Sequence, residues 1–218
     1  MNYNELMIPV QQAEKIAYKL FGVSGKAYAL PGELDFNFRI KIENEAGYIL
    51  KISRPDEAVN YLEFQQELLQ YIEKHGIDLI APKVIKDLEG HSISAFVDDY
   101  KKVRKVRLLT WISGRLWSEV NPQLNDLRYS LGQQCGLLTK ALQGFEHQVA
   151  NRSLDWDIAG SLWTKNHLHL FDNEEQKIIS FFQKKFERAQ KAYTQLRKSV
   201  VHNDANDNNL IVSSELIR

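Results

Sequence analysis

The apolar residues of this 218-residue chain change period near residue 114, and that change constrains the fold more than any single motif. Before it, strands dominate. Phe36, Phe38, Ile40 and Ile42 alternate with polar residues, Glu43 to Gly47 supplies a turn, and Tyr48 to Ile52 returns, so the segment predicts a β-hairpin. Residues 80–84 and 92–97 predict further strands. Two helices accompany them. The first has Pro9 near its start and Gly22 past its end; the second carries Val59, Leu62, Leu69 and Ile72 on one face and ends near Gly76. After residue 114 the period becomes helical, and residues 124–142 and 174–196 predict two long helices. Phe181, Phe182 and Phe186 are expected in their core. The reading is an α+β chain of two lobes: residues 1–113, a sheet with a helix, and residues 114–218, mainly helical.

Charge and cysteine content exclude several classes. Lys plus Arg and Asp plus Glu balance at 28 each, which removes the electrostatic footprint of a nucleic-acid or anionic-membrane binder. Any phosphate must then be held locally. The basic run Lys101 to Arg107 reads as a solvated edge leading into a strand and a linker. The single cysteine, Cys135, falls in the helical series Leu127, Leu131, Leu138, Leu142 and is expected to be a buried structural thiol. The amino terminus lacks a signal-peptide pattern and no stretch approaches ~20 apolar residues, so a cytoplasmic protein is expected.

The chemistry concentrates in residues 200–212, where two β-prone runs flank His202, Asn203, Asp204, Asn206, Asp207, Asn208 and Asn209. His202, Asp204 and Asn209 have the spacing His-x-Asp-x-x-x-x-Asn of a kinase catalytic loop, in which the Asp accepts a hydroxyl proton and the Asn meets a magnesium ion. A calcium loop is a second reading. Asp204, Asn206, Asn208 and Glu215 fit its oxygen positions and Ile211 its apolar one, but Asn209 stands where such a loop needs Gly, and Ser199-Val200-Val201 is a poor incoming helix. An Asn- and Asp-rich turn between strands is the third.

The other features stand in the order that a kinase requires. Pro31-Gly32 marks a turn where backbone can approach a phosphate, Lys51 lies on the next strand with its side chain opposite Leu50 and Ile52, a helix follows, and Leu109-Thr110-Trp111 leads to a linker. With Leu30-Pro31-Gly32, Asp35, Asn37-Phe38, Tyr48 to Ser53, Arg107 to Gly114 and Leu154 to Asp157, the chain resembles the aminoglycoside phosphotransferase-like small-molecule kinases, and most of all their hydroxylysine-kinase branch. That branch includes kinase-like domains fused ahead of class III aminotransferases. The resemblance implies a two-lobed protein-kinase-like fold, with an antiparallel sheet and a helix in the first lobe. It also implies ATP and Mg2+ as cofactors, with Gly32 and Lys51 at the phosphates, Leu109 and Trp111 at the adenine, Asp204 as base, Asn209 on the metal and His202 bracing the loop.

This sequence departs from that pattern in three places. Where a carboxylate should pair with Lys51, the helix face carries Gln65, with Glu63 the nearest acid. Asn203 stands where relatives commonly carry Gly or Arg. The second metal carboxylate expected after the next strand is missing, and Glu215 is a poor substitute, so the helical lobe reads as incomplete and the chain as the first part of a longer protein, weakly active alone. The expected function is an ATP-dependent phosphotransferase acting on the hydroxyl of a small amine-bearing metabolite such as an amino alcohol. The alternative is a non-catalytic nucleotide-binding module that regulates a fused enzyme.

Overall fold

A computed structural model describes residues 7–32, 35–76, 78–151, 157–193 and 195–213. They form two compact units, one drawn from Met1–His147 with Val200–Arg218 and the other from Gln148–Ser199.

The first unit is built on an antiparallel sheet. Strands β1 (Lys26–Leu30), β2 (Phe36–Lys41), β3 (Tyr48–Ile52) and β6 (Val103–Thr110) pair in that spatial order, and β6 is also paired by β4 (Val84–Ile85) and β5 (Ser94–Val97). The expected hairpin is present, with Phe38 opposite Leu50 and Asn37 opposite Lys51. Alternation sends Phe38, Ile40, Leu50, Ile52, Val106 and Leu108 to one side, where they bury Ala13, Ile16, Ala17 and Phe21 of helix α1 (Val10–Phe21). The other side of the pleat carries Asn37, Arg39, Lys51, Arg107 and Leu109. Helix α2 (Val59–His75) lies on this second side, where its Gln65 meets Arg107.

Two expectations about the basic run are corrected. β6 is central, held by β3 on one flank and by β4 and β5 on the other, and Arg104 and Arg107 are each only 1% exposed. Buried guanidinium groups persist because they are paired. Arg104 donates from Nε to Asp98 Oδ2 at 2.8 Å and from Nη1 to the Ser53 carbonyl at 3.0 Å. Arg107 reaches Asp35, as described below.

From β6 the chain runs through Gly114 into β7 (Arg115–Leu116), a short 3-10 turn at Trp117–Glu119 and helix α3 (Asn125–Ala141). β7 pairs with β8 (Ile211–Val212), and Trp117, Val120, Leu127 and Val212 bury a small second core. Cys135 is exposed, contrary to expectation: α3 turns Leu127 and Leu131 toward this core, and Cys135 falls at the surface.

The second unit pairs a 3-10 stretch, Ile158–Leu170, with helix α4 (Asn173–Tyr193). Asp157 caps the first, accepting from Ala159 N–H at 2.9 Å, and Gln183 donates to Thr164 Oγ1 at 3.0 Å. Its aromatics are not core: Phe181 and Phe182 are 53% and 61% exposed, and Gln183 is the only buried residue among those described in α4. Among the described residues no helix is long and apolar enough to cross a membrane.

Candidate active site

Two clusters in the first unit contain the residues that the sequence singles out. The first surrounds Lys51. The turn before β2 is tight at Gly32, where a Cβ would lie 2.3 Å from Asn37 Nδ2 and 2.6 Å from the Asp35 carbonyl. Any side chain there would push the turn apart. Asn37 Nδ2 donates to the Pro31 carbonyl at 3.2 Å, and Asn37 Oδ1 accepts from Lys51 Nζ at 2.7 Å. The same ammonium stands 3.3 Å from Asp35 Oδ2. Arg107, directly across the ladder from Lys51, donates from Nη2 to that oxygen at 2.5 Å and from Nη1 to Gln65 Oε1.

Neither acid nor amide of α2 therefore partners Lys51. Glu63 is exposed and Gln65 accepts from Arg107; the carboxylate beside the lysine is Asp35 of the turn. Burial pulls the Lys51 pKa below the ordinary lysine value, Asp35 pushes it back up, and Arg107 adds to the lowering. Leu109 is buried, facing Ile49 of β3 and Val84 of β4. The Trp111 backbone N–H donates to the Gly47 carbonyl at 3.1 Å, and the indole ring lies 4.1 Å beneath the Arg39 guanidinium carbon.

The second cluster is the Asp204 loop, exposed throughout from His202 to Asn209. It is anchored at its far end by Ser118 N–H on the Asp207 carbonyl and Trp117 N–H on the Leu210 carbonyl, both at 3.0 Å, just before β8 joins β7. Gly114 permits that junction. Its φ is +154°, and a Cβ would lie 2.5 Å from both the Val212 carbonyl and Ile211 Cγ2. Inside the loop, Asn209 Nδ2 donates to the Asp204 carbonyl at 3.0 Å and to Asp204 Oδ2 at 2.8 Å. Asn206 Nδ2 donates to Asp204 Oδ1 at 2.7 Å, and His202 Nδ1 accepts from Asp204 N–H at 3.3 Å. Asn203 sits at φ +59°, a left-handed turn that Asn tolerates better than most residues.

This geometry bears on the rival readings of the loop. The segment entering it forms no helix, so the incoming helix of a calcium loop is not built. Glu215, like residues 154–156, lies outside the described residues. The donor set suits a divalent cation held chiefly by phosphate and water oxygens. Asn209 spends its amide nitrogen on Asp204 and so has its Oδ1 to give, while the Asp204 carboxylate is fixed beside it.

Sequence reasoning missed Arg107 and gave Asp35 and Asn37 no task. Alternation held the signal: Arg107 falls between Val106 and Leu108 as Lys51 falls between Leu50 and Ile52, so both cations had to share the polar face.

Solved structures share this architecture at low identity. An amicoumacin kinase, in complex with AMP-PNP, Ca2+ and Ami, superposes with a TM-score of 0.69 at 17% identity, covering 98% of this chain and 64% of that one. A microcompartment-associated aminopropanol kinase gives 0.71 at 18%, covering 94% and 65%. The phosphotransferase of a streptomycin–ATP–APH(2")-IIa ternary complex gives 0.53 at 16%, covering 95% and 68%. The chain thus spans somewhat less than two thirds of the first two, and its fold is the α+β, protein-kinase-like fold that they share. No curated protein is significantly similar in sequence. The phosphotransferase enzyme family model (APH) matches residues 27–217, nearly the whole length, and the chain belongs to that family.

Proposed function

We propose that this chain carries the nucleotide site and catalytic loop of an ATP-dependent phosphotransferase whose acceptor is the hydroxyl of a small amine-bearing molecule. The observation that supports it best is the pairing of Asp204 with Asn209, in which one side chain fixes both the backbone and the carboxylate of the other. In this reading Asp204 orients the acceptor hydroxyl and takes its proton as the phosphoryl group arrives. Asn209 offers its amide oxygen to magnesium, which when bound neutralises charge on the phosphates. His202 braces the loop by accepting the Asp204 N–H. Lys51 holds the phosphate chain, the turn at Gly32 approaches it, and Leu109 to Trp111 meet the adenine. Residues 1–113 would form the nucleotide lobe and 114–218 the part of the helical lobe present in this chain.

The acceptor class is drawn from similarity. The solved relatives include an aminopropanol kinase and complexes with amicoumacin and with streptomycin, and the first of these names an amino alcohol. Calorimetric titration with ATP in magnesium, followed by a phosphoryl-transfer assay over a panel of amino alcohols, tests the reading. ATP binding that Lys51→Ala abolishes, with acceptor-dependent ADP release that Asp204→Ala abolishes, is the expected result. ATP binding unchanged by Lys51→Ala would refute the assignment of the site.

A further inference from the structure

Lys51 and Arg107 stand directly across the ladder from one another on one face of the sheet, an arrangement of like charges that a sheet tolerates only with a shared counter-ion. α2 provides none, since Gln65 is neutral and accepts a single hydrogen bond from Arg107. Among the described residues, the carboxylate in contact with both cations is Asp35. One of its oxygens, Oδ2, lies 3.3 Å from Lys51 Nζ and 2.5 Å from Arg107 Nη2. An oxygen anion held by an ammonium and a guanidinium at such distances occupies the place that a phosphate oxygen would take. Arg107 also keeps a donor in hand: its Nε has no hydrogen-bond partner among the described residues, although the side chain is buried. Asp35 is also tied to Gly32, whose lack of a side chain lets Asn37 and the Asp35 carbonyl close up on it.

Building on the nucleotide reading above, we propose that Lys51 and Arg107 together form the oxyanion site for the nucleotide's phosphate chain, and that Asp35 is an internal occupant which the phosphates displace. Arg107 then does more than brace the sheet. With Asp35 withdrawn, it presents Nη2 to a phosphate oxygen while Nη1 stays tied to Gln65, so α2 remains registered on the site. A neutral Gln65 suits this arrangement, because a carboxylate in its place would compete with the phosphates for Arg107 as Asp35 does.

Metal-free calorimetric titration of the chain with tripolyphosphate and with ATP tests the proposal, using wild type, Asp35→Asn, Arg107→Met and Arg107→Lys. Asp35→Asn keeps the shape and removes the competing charge, so both ligands are expected to bind about tenfold tighter. Arg107→Met should weaken both about tenfold and Arg107→Lys should recover part of the loss; if Arg107→Met fails to fold, Asp35→Asn still decides. Unchanged or weaker binding of both ligands to Asp35→Asn overturns the proposal and leaves Asp35 a brace of the turn, while ATP binding by wild type keeps the nucleotide reading intact. Tripolyphosphate that tightens as expected with no ATP binding supports the oxyanion site and removes the nucleotide reading. Absence of binding by either ligand to every variant overturns both.

Discussion

Asp204 shows how much one exposed carboxylate can depend on its neighbours. Its carboxylate accepts from both Asn206 and Asn209, and a second bond from Asn209 holds its carbonyl, so the side chain is aimed before any ligand arrives. Replacing it by Asn keeps the shape and removes the base. Turnover of the Asp204→Asn protein should fall by roughly 10²–10⁴, with ATP affinity unchanged by calorimetry. Lys51 gives a pH dependence. Burial, offset in part by Asp35, places its folded pKa below the ordinary lysine value, so the folded chain gives up this proton sooner than the unfolded one. Its contribution to folding therefore improves as pH rises between the two values, whereas phosphate binding, which needs the ammonium, is lost as pH rises through the lowered one. Affinity for tripolyphosphate should decline on the acid side of the ordinary lysine range. Lys51→Arg should bind without that decline, and a flat wild-type profile would contradict the assignment.

Among the elements, the hairpin, both helices of the sheet region and the two long helices were legible in the sequence, because alternation and the 3.6-residue period report directly on which face is buried. Charge obscured the rest. Val103 to Thr110 reads as an edge because Arg104 and Arg107 look solvated, and only their tertiary partners, Asp98 and Asp35, make a central strand possible. Those partners lie in turns, where periodicity carries no information. The pattern predicts the Lys51 partner on α2, and it lies instead in the turn before β2. Asp98 carries a testable share of this element's stability. Burial pushes its carboxyl up, but hydrogen bonds from Arg104 and from the N–H groups of Lys102 and Tyr100 outweigh that and leave it below the usual range. A depressed carboxylate stabilises the fold above its unfolded pKa and loses that effect as pH falls through the folded value. Asp98→Asn removes the carboxylate that accepts from Arg104 Nε and should cost about 3 kcal/mol in urea unfolding, while flattening the acid side of the stability profile. The β7–β8 ladder has its own sensitive point. Gly114→Ala puts a methyl 2.5 Å from the Val212 carbonyl at a φ of +154° and should destabilise by about 1–3 kcal/mol, with loss of the ordered Asp204 loop.

Across the whole molecule, the two units differ in how much apolar surface they bury, and stability should follow that difference. In the first unit, Ile40, Leu50, Ile52, Val106 and Leu108 are fully buried against α1, and a Leu50→Ala change opens a cavity in the middle of that cluster. In the second unit, Ile178, Phe181 and Phe182 of α4 are more than half exposed, and the described contacts that hold it are largely polar, such as Gln183 on Thr164 and Lys165 on Glu187. An exposed pair like Lys165 and Glu187 contributes little. Leu50→Ala should therefore cost about 2–5 kcal/mol, whereas Phe182→Ala should change stability by less than about 0.5 kcal/mol. Hydrogen exchange separates the units directly, because amides open at free energies set by the local core. Backbone amides of β3 and β6 should exchange only through global unfolding of the first unit. Those of residues 158–193 should exchange orders of magnitude faster and should stay fast when ATP slows exchange around Lys51. Equal protection in both units would contradict this ranking.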